Sequence, residues 1–154
     1  MYDVDQPRWF RQLKWRGRIH ITALNENRKQ IPEFTGCYVF TVGKVPIAPG
    51  RVLYVGEAAA QSLRDRLANY LVDFHQSKRR EGHKGKGFVL EARSRSGDHG
   101  VFVSWVEYGA SLSDIHILEA SLIHYLNPAA NDRVEETRHP TLPNLDRLDS
   151  RLIR

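Results

Sequence analysis

The sequence predicts an α/β chain of three short strands and two longer helices, and three observations carry that prediction. Two runs of β-branched and aromatic residues flank a Gly/Pro-rich loop, an amphipathic helical window follows directly, and a third strand and a second helix succeed each other further along. The first run, Tyr38-Val39-Phe40-Thr41-Val42, and the second, Val52-Leu53-Tyr54-Val55, read as a strand and its returning partner across the loop from Gly43 to Gly50. In the helical window Leu63, Leu67, Tyr70, Leu71 and Phe74 recur at three- and four-residue steps, with Ser62 as the cap and Arg64 and Arg66 on the two edges of the apolar stripe. Val101 to Tyr108 is the third strand. Ser111-Leu112-Ser113-Asp114 starts the second helix, which carries Ile115, Leu118, Leu122, Ile123 and Leu126 on one face and closes at Pro128.

The remaining segments are irregular by the same reading. Residues 1–34 form an N-terminal extension in which Trp9, Phe10 and Trp15 interleave with Arg8, Arg11, Lys14, Arg16 and Arg18. Gly82 to Gly100 is rich in Gly, Ser, Lys and Arg and reads as a loop, with Phe88-Val89-Leu90 available for a brief pairing at a sheet edge. A tail at 132–154 mixes charges with Pro140 and Pro143, and its stretch from Leu145 to Ile153 suits a short helix. The length of 154 residues fits a single domain.

Composition narrows the function classes. One cysteine, Cys37, excludes an internal disulfide; the first residues lack a signal-type apolar region, and no run reaches the roughly 18 apolar residues of a membrane span. A cytoplasmic address with no membrane partner is therefore expected. The formal charge of +5 and a pI of about 9.6 favour polyanionic partners. The cations gather in the N-terminal extension and in a mid-chain run containing Lys78, Arg79, Arg80, Lys84 and Lys86; a solvated surface is the alternative for either. Paired-cysteine zinc patterns, a Walker loop and a Gly-x-Ser-x-Gly elbow are all missing from the sequence.

Glu119 is the residue whose placement asks for a chemical explanation. At 100° per residue it falls inside the apolar stripe of its helix, and a buried carboxylate needs a cation or strong donors opposite it. A divalent metal satisfies that need; so does an arginine in a purely structural ion pair. Tyr38 and Tyr54 lie on adjacent expected strands and can share a face, although aromatic residues in strands are ordinarily core. A phenol becomes a proton acceptor when a neighbouring cation lowers its pKa from about 10, and Arg66 is placed to supply such a field. His83, His99, His116 and His124 read as surface or packing residues, with His116 and Glu119 at i, i+3 the one ligand-like spacing among them.

Taken in order, these residues resemble the GIY-YIG nuclease superfamily over roughly residues 35–131. Gly36-Cys37-Tyr38 is similar to the first motif and Tyr54-Val55-Gly56 to the second. Leu63-Arg64-Asp65-Arg66-Leu67 is similar to the arginine segment and favours Arg66, while strict counting from Gly56 favours Arg64. Leu118-Glu119-Ala120 through Asn127-Pro128 to Asn131 looks like the family's glutamate, proline and asparagine. Tyr70 stands where many members have histidine.

The resemblance implies a small central, mostly antiparallel three-stranded sheet flanked by helices, with the basic stretch at about 78–100 as an insertion. It further implies DNA phosphodiester hydrolysis with Mg²⁺ or Mn²⁺ held chiefly by Glu119. Tyr38 would position a water, Arg66 would offset phosphoryl charge, Tyr54 would orient substrate or water, Tyr70 would take the histidine's place, and Asn131 would fix the site. Lys78, Arg79, Arg80, Lys84 and Lys86 would bind DNA. A catalytically inactive DNA-binding module of the same fold is the main alternative, and a basic scaffold for RNA or an acidic partner is a third.

Overall fold

The structure is a computed structural model and describes residues 6–75, 100–109, 111–129 and 131. The mid-chain cations Lys78 to Arg95, the pairing expected at Phe88-Val89-Leu90 and the tail at 132–154 lie outside the described residues, as do the side chains of Leu71 and Phe74. The described part holds one four-stranded, wholly antiparallel sheet and three helices. In chain order these are α1 (Arg8–Gln12), β1 (Arg16–His20), β2 (Gly36–Val42), β3 (Tyr54–Ala58), α2 (Leu63–His75), β4 (Val101–Glu107) and α3 (Leu112–Leu126), with single 3₁₀ turns at Ile21–Ala23 and Arg28–Gln30. Strands run in the order β1-β4-β2-β3.

The expectation of three strands is corrected to four. The additional strand, β1, lies within the basic extension and pairs with β4 at the sheet's edge. Its sequence, Arg16-Gly17-Arg18-Ile19-His20, hides the strand because only Ile19 is a buried apolar residue. An edge strand with one exposed side needs no alternating pattern, and a bulge between Gly17 and Ile19 breaks even the two-residue period. The bulge places Gly17 at φ +96° and Arg18 at φ 59°. A Cβ on Gly17 would overlap the Trp105 ring, which crosses the strand there. For Arg18 the left-handed conformation carries a cost of about 1–2 kcal/mol that glycine would not have.

The two helices that frame the sheet begin as the sequence suggests. Ser62 Oγ accepts from Asp65 N at 3.1 Å, and the carbonyls of Phe34 and Pro32 take the N–H groups of Leu63 and Arg64 at 2.8 and 3.1 Å. Orphan donors of the first turn of α2 are thereby satisfied, and the chain before β2 is tied to that helix. In α3, Ser111 Oγ accepts from Asp114 N at 3.2 Å, and Asn127 ends the helix in the left-handed conformation just before Pro128.

Alternation along the strands sorts the core into two layers. Tyr38, Phe40, Ala58, Val101, Val103 and Trp105 face Leu63, Leu67 and Tyr70 of α2 together with Ile21, Leu24 and Ile31. Cys37, Val39, Val55 and Val106 face Ile115, Leu118, Leu122 and Leu126 of α3, joined by Phe10 and Leu13 of the N-terminal segment. β3 begins two residues later than its apolar run and ends at Ala58, because its register is set by pairing Gly36 with Ala58 and Tyr38 with Gly56. No helix among the described residues is long and apolar enough to cross a membrane.

Candidate active site

Register places the first two tyrosines together. Tyr38 stands opposite Gly56 and Phe40 opposite Tyr54, so Tyr38 and Tyr54 are diagonal neighbours on the α2 face, with ring centroids 6.5 Å apart. Gly56 is what permits this: a Cβ there would strike the Tyr38 ring and hydroxyl, which lie across β3. The glycine of the second motif therefore makes room for the tyrosine of the first. Tyr70, one turn beyond Arg66 on α2, reaches down so that its hydroxyl sits 3.0 Å from that of Tyr38. Both Tyr38 and Tyr70 are fully buried.

Arg66 hydrogen-bonds the Tyr38 hydroxyl and is half-buried beside the three phenols. Arg64, one residue pair earlier, turns the other way. Its Nε donates to Ile31 O at 2.8 Å, and its terminal nitrogens reach Glu33 Oε1 at 2.6 Å and Lys29 O at 3.3 Å. Arg64 is thus engaged with the segment before β2, whereas Arg66 is the arginine among the tyrosines. The Nε of Arg66 is buried and has no hydrogen-bond partner among the described residues. A buried donor left in this way costs about 1–3 kcal/mol.

The electrostatics of the cluster follow from burial. Desolvation drives the Tyr38 pKa up, Arg66 and the hydrogen bonds to Tyr70 and Arg66 pull it back, and the result is about 12. Tyr54 and Tyr70 are also raised, in both cases mainly by burial. For Arg66 burial acts downward, but the field of Tyr38, the hydrogen bond to it, and the nearby Tyr70 and Tyr54 outweigh burial and raise the pKa. At neutral pH the cluster is one guanidinium cation among neutral phenols.

Glu119 sits on α3 between the buried residues Ile115, Leu118, Leu122 and Ile123, and is itself partly exposed rather than enclosed in the core. Its charge raises the pKa of Tyr38 and Tyr54 on one face of the sheet and of Cys37 on the other. That reach onto both faces is natural for a helix packed against the sheet beside its edge strand, β3. Among the described residues no group of three or more His, Cys, Asp or Glu could hold a metal ion. A lone carboxylate is nonetheless a donor set that suits Mg²⁺, which keeps several waters and commonly takes one or two carboxylates plus substrate phosphate oxygens.

Asn131 is buried and grips β3 from outside. Its Oδ1 accepts from Val55 N at 2.9 Å and its Nδ2 donates to Val55 O at 3.0 Å, so the amide completes the outer edge of the strand as a further strand would. The clamp falls between Tyr54 and Gly56, the two ends of the second motif.

Two polar residues form a link on the α3 side of the sheet. His116 is exposed, as expected of a surface residue, and its Nδ1 lies 2.6 Å from Glu57 Oε2, linking α3 to β3 one turn before Glu119. Glu57 was not singled out at all. The sequence signal for it was position alone, since it directly follows Tyr54-Val55-Gly56. Cys37 is buried, its pKa is raised by burial and by Glu119 and Glu57, and its thiol is correspondingly inert. Of the other three histidines expected at the surface or in packing, His124 is exposed, and His83 and His99 lie outside the described residues.

No protein-family model matches the chain, and no curated protein matches it in sequence. Among solved structures it is similar to the GIY-YIG N-terminal endonuclease domain of UvrC from Thermotoga maritima bound to its catalytic magnesium, at 24% identity and TM-score 0.44 over 70% of this chain and 94% of that one. Two point mutants of the same domain, each bound to its catalytic divalent cation, are similar at 24% and 23% identity with TM-scores of 0.43 and 0.41.

Proposed function

We propose that this chain is a metal-dependent DNA endonuclease of the GIY-YIG type. The observation that carries the reading is the meeting of Tyr38, Tyr54, Tyr70 and Arg66 in one buried cluster within reach of the Glu119 charge. These residues come from separate strands and helices, and they are the ones the ordered motifs single out. A cluster of phenols around an arginine has little value as a plain core, since apolar rings would pack there without the desolvation cost of their hydroxyls.

Glu119 is the residue that would hold Mg²⁺ or Mn²⁺. When bound, the metal would polarise the scissile phosphate and stabilise the leaving oxygen. The chain's own groups divide the remaining work. Arg66, with a buried Nε awaiting an acceptor, offers a donor and a positive charge to a phosphate oxygen and so offsets charge developing on phosphorus. Tyr38 holds the proton-accepting position, and its hydrogen bonds with Tyr70 and Arg66 fix the direction in which its hydroxyl points. With a pKa near 12 the phenol keeps its proton at neutral pH, so accepting one requires added positive charge at the site. Tyr54 orients the substrate or the attacking water, and Asn131 keeps Tyr54 and Gly56 in register through Val55. Lys78, Arg79, Arg80, Lys84 and Lys86 are the proposed phosphate contacts of the mid-chain segment.

Plasmid cleavage with and without Mg²⁺ tests the reading. Wild-type protein should nick or linearise DNA only with the metal, and Glu119→Ala should reduce cleavage to background while the far-UV circular dichroism and melting temperature remain close to wild type. Cleavage by Glu119→Ala at the wild-type rate would falsify the assignment. An inactive wild type that still binds DNA would favour the binding-module alternative.

A further inference from the structure

Resting on the nuclease reading, we infer that the N-terminal segment from Arg8 to Arg18 is a preformed docking face for the DNA phosphate backbone, laid along the β1 edge of the sheet. Residues 6–20 contain Arg8, Arg11, Lys14, Arg16 and Arg18 and no carboxylate, and all five cations are exposed. Among the described residues none of the five makes an ion pair. Like charges crowded in this way repel one another and gain nothing from folding, whereas a polyanion would draw on all of them together.

The segment is held as a surface rather than trailing as an arm. Phe10 and Leu13 are buried in the α3 layer. Phe10 packs on Tyr125 with centroids 4.9 Å apart, and Trp9 meets the same ring edge-on at 6.1 Å. Ile19 is buried in the opposite layer, so the chain wraps around the sheet's edge with its apolar residues turned inward and its cations outward. The interleaving of aromatic and basic residues in the sequence is this division between anchor and face.

Two features connect the face to the site. Arg16 pairs with Trp105, Trp105 with Tyr38, and Tyr38 with Gly56, so one cross-strand row runs from the basic edge to the tyrosine cluster. Two strand spacings separate β1 from β2, or about 10 Å. Arg18 supplies the second feature. It occupies a left-handed position at the bulge, where glycine would fit without strain, and bulges commonly re-aim a side chain near a functional site. An arginine kept there is accounted for by what its guanidinium contacts outside the chain.

The test is binding of a fluorescein-labelled DNA duplex to the full chain in EDTA, followed by anisotropy at several salt concentrations. The triple variant Arg11→Gln, Arg16→Gln, Arg18→Gly should flatten the slope of log affinity against log salt by about 2.7, at about 0.9 per lost phosphate contact. Its melting temperature should not fall, because Arg18→Gly relieves the left-handed strain. Arg28→Gln, Lys29→Gln, Arg51→Gln removes the same charge from exposed positions elsewhere and should leave the slope near wild type. An unchanged slope in the first variant, or an equal fall in the second, would overturn the docking face. Stronger displacement by duplex RNA of equal length would overturn the choice of DNA. Because no metal is present, the outcome is independent of cleavage: a chain that binds this way without cutting sinks the nuclease reading alone.

Discussion

The two faces of the sheet are built from the same four strands and are buried to a similar degree, yet they are chemically unlike. Against Ile115, Leu118 and Leu122 of α3 lie Cys37, Val39, Val55 and Val106, an apolar layer in which the thiol is held neutral. On the other face Tyr38 and Tyr54 of the sheet meet Tyr70 of α2, with Arg66 hydrogen-bonded among them. Every hydroxyl on the second face lost water on folding, and the pKa of each of the three phenols is raised as a result. One face holds the fold together, and the other uses burial to sharpen electrostatics. The comparison predicts that substitutions on the two faces will separate activity from stability.

The largest expected effect is on the α2 face. Tyr38→Phe removes a hydroxyl and no volume from the packed ring, so melting should change little while cleavage falls by about 10²–10⁴, the usual worth of a positioned proton acceptor. With the metal bound, the wild-type rate should climb with pH up to the ionisation of the Tyr38 phenol, which the added positive charge brings down from its value of about 12 in the metal-free chain. Tyr38→Phe should lose that climb. A Tyr38→Phe profile that climbs as the wild type does would remove Tyr38 from the proton-accepting position.

Next in size, Arg66→Ala should lower turnover by about 10²–10³ with a smaller loss of DNA affinity, as expected for a donor acting on developing charge. Arg64→Ala is its counterpart on the same helix. That change breaks the links to Ile31, Glu33 and Lys29, so it should lower the melting temperature and leave turnover per folded molecule near wild type. Reversed outcomes, with Arg64→Ala inactive and Arg66→Ala mild, would move the cation to the other edge of α2.

On the α3 face the effect should be on stability alone. Leu122 is fully buried in that layer, and Leu122→Ala should cost about 2–5 kcal/mol in denaturant unfolding. Activity per folded molecule should persist, since the substitution lies across the sheet from the tyrosines. If Leu122→Ala lost activity while remaining folded, the two faces would be coupled through α3, which carries Glu119 as well.

How much of this could be read from the sequence differs between the same two regions. The strands and helices with regular periodicity, β2, β4, α2 and α3, were legible because each buries a continuous apolar face and because Ser62 and Ser111 mark their helix starts. Tyr38, Tyr54, Arg66, Tyr70 and Asn131 were singled out through motif order, and Glu119 also through its place within the apolar stripe of its helix. β1 was illegible because an edge strand with a bulge and one buried apolar side chain has no period to detect. The choice between Arg64 and Arg66 depended on where the segment 29–33 lies, a long-range contact on which spacing within the helix is silent. The Glu57–His116 pair has the same character, joining residues 59 apart in the chain.

Asn131 gives the smallest effect and the finest test of how the fold supports the site. Its amide serves Val55 with one acceptor and one donor, and an aspartate of the same shape keeps the acceptor but sets an oxygen against the Val55 carbonyl. Asn131→Asp should therefore destabilise by about 1–3 kcal/mol, the cost of leaving a buried polar group opposed rather than paired. Among the described residues the Asn131 amide hydrogen-bonds backbone alone, so its influence on the tyrosines is expected to pass through the position of β3. Turnover should then fall modestly, by about tenfold or less, with the pH dependence of the rate unchanged, because Tyr38 and its hydrogen-bonding partners remain in place. A loss as deep as that of Tyr38→Phe, or an altered pH profile in a variant that is still folded, would mean that Asn131 meets the substrate directly and that the clamp on Val55 is only part of what it does.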